Sequence, residues 1–330
     1  MTKDAMDEAA KVLAEASEVA LVCHVNPDAD AIGSMLGLAG FLAERGVQVA
    51  ATWPNDHREA PRWIEALPGR EHVVVPGKMP KRPEVVVTLD AADPKRLGGM
   101  IHLLESAGTS ICIDHHRTNP GFAAIDLIDP EASSTGEVVY RLIERMGGAP
   151  SDDVAACLYA AMVTDTGRFM YEAAKPETLR VAAELRERDF DHAALAQALY
   201  EDESFGFLKL LGLALARAEL DEELGFVWTH LSRKDLEEAG VEIQETEGMI
   251  DVIRSAREAD IAAVLKEQRE GGYKVSLRSR GGTDVSAIAE RFEGGGHRLA
   301  AGYSSGVDLE ESIAALRKAL RDVDPSDAGA

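Results

Sequence analysis

Three apolar runs in the first 115 residues, VALVC, EVVVTL and TSICI, each lead straight into a polar residue: His24, Asp90, and Asp114 followed by His115 and His116. A fourth run, VQVAATW, stands between the first two, and segments of helical periodicity separate the runs. Parallel strands are covered on both faces and need long return connections. Strand-length apolar runs alternating with helical segments therefore predict a parallel sheet with crossover helices. After the first run, Ile32, Met35, Leu36, Ala39 and Ala43 recur at helical spacing until Gly46. A second helix is predicted at SSTGE, where Ser134 and Glu137 have capping-box spacing, and a third over SDDVAACLYAAMVTDTG.

In open parallel sheets ligands bind outside the carboxyl ends of the strands, so His24, Asp90 and the 114–116 cluster are expected on one rim. The stretch HVNPDADAIGS adds Asp28 and Asp30 there, and the third helix delivers Asp165. Singly, each residue has an ordinary explanation, such as a helix cap, a turn or a polar strand end. Together they do not, because independent caps have no reason to gather these carboxylates with three imidazoles. Such crowding raises carboxyl pKa values unless cations neutralise it, so a metal site is the economical reading. Asp and His donors favour Mn²⁺, with Mg²⁺, Fe²⁺ and Co²⁺ as the other candidates, over a sulfur-ligated zinc. The number of donors suits two ions better than one.

From about Lys175 to Leu220 the chain reads as consecutive helices with no strand signal. Beyond it come FVWTHL as a strand, a short helix capped by Ser232 and ended by Gly240, a longer helix around GMIDVIRSA, and IAAVLKEQ and YKVSLRS flanking REGG as a hairpin. The expected organisation is α/β: a parallel-sheet domain over 1–185, a helical connector over 186–222 and a smaller α/β domain over 223–330. The tail VDPSDAGA shows no core face and is expected to fray.

At 330 residues with a formal net charge of −23, the chain opposes long nucleic acid, whose affinity depends on Lys and Arg neutralising many phosphates. No apolar stretch reaches the ~18 residues of a membrane span, and the start MTKDAMDEAAKVL has no secretory pattern. No membrane association and a cytoplasmic location are expected. Cys23, Cys112 and Cys157 lie in apolar runs without a C-x-x-C pair and are read as buried thiols.

HVNPDADAIGS, VVVTLDAAD, IDHHRTN and MVTDTGRF stand in the order and spacing of the four motifs of the DHH phosphoesterases, and FEGGGHRLAAGY resembles the signature of the DHHA1 domain. The chain is similar to the nano-RNase/pAp phosphatase branch, the NrnA type, over roughly residues 18 to 305. The resemblance implies a DHH catalytic domain followed by a DHHA1 substrate-binding domain. It implies two Mn²⁺ per chain, one held by His24, Asp28 and Asp90 and the other by Asp30, Asp90, His115 and Asp165, with hydroxide between them attacking phosphorus. His116 then contacts the phosphoryl or leaving-group oxygen, Asp114 orients a histidine, and Asn119 helps place the substrate. Ser276, Arg278, Ser279, Gly295, Gly296, His297 and Arg298 are expected to hold the remote phosphate or base. The implied substrates are pAp, short RNA and pApA, with cyclic di-AMP as a further candidate, and the implied assembly is a homodimer. Two positions depart from the pattern: Arg168 where a small residue is common, and Glu293 where glycine is.

Two other readings compete. A type II inorganic pyrophosphatase shares the first domain's motifs, and SRK at 232–234 faintly resembles its second domain, but the GGGHRLAAG stretch speaks against it. A non-catalytic nucleotide sensor of the same fold would be expected to lack a metal ligand, and none is missing here.

Overall fold

The computed structural model describes residues 2–55, 57 and 61–322, so the tail read as frayed, 323–330, lies outside the described residues. Two compact units divide the chain, Met1–Asp202 and Glu203–Ala330.

Unit 1 runs α1 (Lys3–Glu15), β1 (Glu18–Cys23), α2 (Ala29–Ala43), β2 (Gln48–Thr52), β3 (Val85–Leu89), α3 (His102–Ser106), β4 (Thr109–Asp114), β5 (Ile125–Ile128), α4 (Thr135–Arg145), α5 (Asp152–Asp165), α6 (Pro176–Arg186) and α7 (His192–Tyr200). Its five strands form a parallel sheet in the order β2-β1-β3-β4-β5. Alternate residues serve two cores. Val19, Leu21, Val85, Val87, Ile111 and Ile113 pack with α1, α2, α4 and α5, whereas Ala20, Val22 and Val86 pack with Leu97, Met100 and Leu103 on the other face. This two-sided burial is why the strands read as continuous apolar runs.

The first helices follow from their caps. Asp28 accepts from the Ala31 amide to start α2, Ser134 from Glu137 to start α4, and Ser151 from Val154 to start α5. Only half of the capping box expected at Ser134 forms, because the Glu137 carboxylate turns to the amide and hydroxyl of Ser133 and to Thr178. Helices α2 and α5 meet closely at Gly33, where a Cβ would stand 2.5 Å from the Cys157 carbonyl oxygen.

Unit 2 runs α8 (Phe205–Ala216), β6 (Glu219–Asp221), β7 (Phe226–Leu231), α9 (Arg233–Ala239), α10 (Met249–Ile253), β8 (Ile261–Glu267), β9 (Tyr273–Ser279), α11 (Val285–Glu290), β10 (Gly295–His297), β11 (Ala300–Ser305) and α12 (Leu309–Arg321). Its mixed sheet has the order β10-β11-β9-β8-β7-β6, with α11 and α12 on one face and α10 on the other. The fold class is α/β as expected. Ser232 and Asp235 form a full capping box at α9, which Gly240 ends in a left-handed conformation. Two details differ from expectation. The stretch 175–220 runs into strand β6, whose three residues are too few to show a period, and the helix around GMIDVIRSA is five residues long. Cys23, Cys112 and Cys157 are buried and free, and no helix among the described residues is long and apolar enough to cross a membrane.

Candidate metal centre

Strand order reverses at β1, which pairs with β2 on one side and β3 on the other, and this switch point opens a crevice at the carboxyl ends. His24 follows β1, Asp90 follows β3, and Asp114 ends β4 ahead of His115 and His116. Asp90 takes a left-handed backbone, φ 57°, which aspartate tolerates better than most residues, while its amide still donates to the Ile113 carbonyl at 3.0 Å. The turn leaves both carboxylate oxygens in the crevice.

Those two oxygens face different partners. Oδ2 lies 3.4 Å from His24 Nε2, whereas Oδ1 lies 3.5 Å from His116 Nδ1 and 3.8 Å from His115 Nε2. His24 Nε2 is also 3.9 Å from Asp28 Oδ2, and His115 Nε2 is 3.4 Å from Asp165 Oδ2 and 3.8 Å from Asp30 Oδ2. Three donor groups result: His24–Asp28–Asp90, Asp30–His115–Asp165 and Asp90–His115–His116, each with its ligand atoms within 4.8 Å of one another.

Surrounding hydrogen bonds fix these side chains. Asp28 uses Oδ1 as the α2 cap and keeps Oδ2 toward His24, its side chain 63 % exposed. Asp30 is buried against the start of α4, accepting from the amides of Thr135 at 2.7 Å and Gly136 at 2.9 Å and from the Ser34 hydroxyl at 3.0 Å. Thr135 Oγ1 donates to Asp90 Oδ1 at 2.9 Å. His24 Nδ1 lies 2.7 Å from the Val25 carbonyl, which orients the ring so that Nε2 faces the donor group. The Arg96 guanidinium stands 3.0 Å from the same Nδ1 and adds positive charge at the rim. Asp114 Oδ1 accepts from the amides of His115 and His116 and lies 2.6 Å from His116 Nδ1.

The charges are not in balance by themselves. Burial, then the charges of Asp90 and Asp165, push the Asp30 carboxyl well above its usual range, and desolvation with the charges of Asp90 and Asp28 does the same to Asp165. Burial also opposes ionisation of Asp90, but the hydrogen bond with His24 and the fields of His116 and His115 win and hold it well below the usual range. Burial disfavours a charged His116, yet the Asp114 hydrogen bond and the Asp90 charge raise it to about 9. Asp30 and Asp165 pushed toward their neutral form beside Asp90 and the imidazoles are the donor set that a divalent cation would relieve, so these residues fit a metal.

Of the other expected site residues, Asn119 spends its amide on Asp114 Oδ2 at 2.6 Å and on the Ala91 carbonyl, and its oxygen accepts from Gly121. Ser276 and Arg278 lie on one face of β9 and line a cavity of about 650 Å³ together with Glu293, Gly294 and Gly302. Ser279 falls on the opposite face, where its hydroxyl bonds Asp260 and accepts from the amides of Gly281 and Thr283. Gly295 and Gly296 form β10 with His297, which pairs with Ala300 on β11. A Cβ at Gly296 would stand 2.5 Å from the Ala300 carbonyl oxygen, whereas one at Gly295 would meet nothing. Arg298 is exposed and reaches the Gly281 carbonyl at 3.4 Å. Arg168 is exposed with its guanidinium over the Tyr200 ring, and Glu293 has φ 60°, a conformation that glycine adopts without penalty. Ser232, Arg233 and Lys234 open α9, with Arg233 and Lys234 paired to Glu237 and Glu238. Thr135, Gly136, Ser34 and Arg96 were not singled out by sequence; of these only the α4 start carried a signal, as a helix cap.

Residues 18–162 match the DHH family, N-terminal domain, and residues 229–323 match the DHHA1 domain. The chain is 34 % identical to the bifunctional oligoribonuclease and PAP phosphatase NrnA of Thermus thermophilus, over 92 % of this chain and 89 % of that protein. It is 27 % identical to the cyclic-di-AMP phosphodiesterase GdpP of Geobacillus thermodenitrificans, over 94 % of this chain and 48 % of that protein. An exopolyphosphatase-related protein of Bacteroides fragilis has a similar structure, with a TM-score of 0.91 at 30 % identity, covering 97 % of this chain and 98 % of that one.

Proposed function

The chain belongs to the DHH–DHHA1 phosphoesterases of the oligoribonuclease and pAp phosphatase type, and from that premise we propose that it removes the 3′-phosphate of pAp and hydrolyses short oligoribonucleotides, pApA among them, with two Mn²⁺ per chain. The observation that carries the reading is Asp90, whose two carboxylate oxygens face His24 on one side and His115 and His116 on the other. In this reading His24, Asp28 and Asp90 hold one ion, and Asp30, Asp90, His115 and Asp165 hold the other. When bound, such ions neutralise phosphoryl oxygens and make water nucleophilic near neutral pH.

The chain's own groups do the rest. Asp114 locks the His116 ring through Nδ1, and the resulting imidazolium carries a proton to the leaving oxygen at Nε2. Asn119 and the amides of His115 and His116 hold Asp114 in turn, so the proton donor is aimed before substrate arrives. Thr135 and the start of α4 fix Asp90 and Asp30. In unit 2, Ser276 and Arg278 together with the Gly295–Arg298 turn grip the phosphate or base remote from the scissile bond, which spends binding energy on orientation. We further place the protein in the cytoplasm as a homodimer, a state that light scattering on the purified chain reads directly. Cyclic di-AMP is a candidate substrate alongside pApA.

The test is product release from pAp, pApA, a 3-mer RNA, cyclic di-AMP and pyrophosphate with Mn²⁺, before and after chelation. Chelator-sensitive turnover of pAp and the short RNAs is expected. Turnover of pyrophosphate alone would favour the pyrophosphatase reading, and metal-loaded protein inert toward all five would favour the sensor.

A further inference from the structure

Asp165 is held differently from the other carboxylates of the metal centre. Asp28, Asp30 and Asp90 each accept a hydrogen bond from a neighbouring amide or hydroxyl, whereas the Asp165 carboxylate accepts none among the described residues and lies 3.4 Å from His115 Nε2. Asp165 is the last residue of α5, so its place depends on the backbone of that final turn.

The turn is closed under strain. Gly167, Arg168 and Phe169 take three consecutive left-handed conformations, φ 55°, 62° and 62°, and only the first of them is a glycine. Other residues seldom adopt that region, and such strain persists only where the surroundings over-determine it. Here the Arg168 amide donates to the Val163 carbonyl at 2.8 Å, closing residues 163–168 into a ring that contains Asp165. The buried Thr166 hydroxyl donates to the Met162 carbonyl at 2.6 Å and accepts from the Phe169 amide at 3.1 Å, and the Phe169 ring meets Tyr159 edge to face.

Tyr200, the last residue of α7, grips this ring of residues at both ends. Its hydroxyl donates to the same Val163 carbonyl at 3.2 Å, and its aromatic face lies under the Arg168 guanidinium, 4.0 Å from the centroid. A cation at that distance is attracted by the electron-rich face of a tyrosine. Glycine at 168 would take φ 62° without penalty and leave the core unchanged, because Arg168 is exposed. What the arginine adds is the contact with Tyr200.

We propose that Arg168 and Tyr200 are positioning residues that act through the Val163–Arg168 turn to hold the Asp165 carboxylate on its side of the centre, and so set the affinity of one of the two ions rather than of both. This rests on the two-metal hydrolase reading above and gives it a control point outside the ligands themselves.

The experiment is Mn²⁺ titration calorimetry, with urea unfolding in EDTA, on the parent, Arg168→Gly, Arg168→Lys and Tyr200→Leu. In Arg168→Gly and Tyr200→Leu one of the two Mn²⁺ affinities is expected to fall about tenfold while the other stays at the parental value. Arg168→Lys, which keeps a cation over the ring, restores most of the loss. The metal-free stability of Arg168→Gly stays near that of the parent, because relief of the backbone strain offsets the lost contact. Parental Mn²⁺ affinities in Arg168→Gly overturn the proposal, whatever the stability does, and equal weakening of both ions overturns the assignment to Asp165. If Tyr200→Leu does not fold, the two Arg168 variants decide. A parent that binds no Mn²⁺ overturns the metal-dependent reading and this proposal together, whereas unchanged affinities in the variants overturn this proposal alone.

Discussion

The hydroxyl of Thr135 donates to Asp90 Oδ1 at 2.9 Å, tying the first residue of α4 to the tip of β3. Thr135→Val removes that donor at nearly constant volume. Partners of this kind typically contribute 10- to 100-fold to metal affinity. Thr135→Val should therefore weaken Mn²⁺ binding by about that factor in a metal titration, while Thr135→Ser stays near the parent. Equal affinities for Val and parent would show the bond to be incidental.

Arg278 supplies the clearest separation of substrate holding from chemistry. Losing one charge-assisted contact costs about 1.5 to 3 kcal/mol, roughly one to two decades in kcat/KM. In Arg278→Ala the ratio of kcat/KM for pAp over bis-p-nitrophenyl phosphate, which has no second phosphate, should fall by that amount. A ratio that does not change would assign Arg278 to the fold or the metal centre instead.

Substrate length should matter as well. A cavity of about 650 Å³ in a chain of net charge −23 has room for a short nucleotide and little attraction for a long one. Turnover should fall steeply beyond about five nucleotides, an expectation carried by the family resemblance and by the salt physics of phosphate contacts. Equal rates on a 3-mer and a 25-mer would refute it.

The strand ends of unit 1 were legible because each apolar run stops at the residue that enters the crevice, and β-sheet order then does the rest. His24, Asp90 and His115 needed only the rule that parallel strands point one way. Thr135 and Gly136 were legible only as a helix start and Arg96 not at all, since their part in the site comes from the packing of α4 and the 94–100 turn against the rim. Ser279 shows the limit of motif reasoning: it sits in SLRSR beside Arg278, but strand alternation sends it to the opposite face.

In unit 2, Arg217 grips Asp235 with two hydrogen bonds, 2.5 and 3.0 Å, and Asp235 is 8 % exposed. The Arg217 bond, with Ser232, holds the Asp235 carboxyl well below its usual range against the effect of burial. A depressed folded pKa stabilises fully above the unfolded value, about 3.9, and is lost as pH falls toward the folded one. Asp235→Asn should cost about 1.5 to 3 kcal/mol by urea unfolding at neutral pH. The difference from the parent should shrink below about pH 4. A difference that grows on acidification would contradict the assignment.

The central claim is that one carboxylate, Asp90, serves both sides of a single metal centre. The direct measurement is Mn²⁺ stoichiometry by titration calorimetry and metal analysis, with pAp turnover on the same samples, for the parent and Asp90→Ala, and circular dichroism to establish the fold. The account predicts two ions per parent chain, and loss of both tight metal binding and turnover in the folded variant. Two tightly bound ions with parental turnover in Asp90→Ala would contradict it.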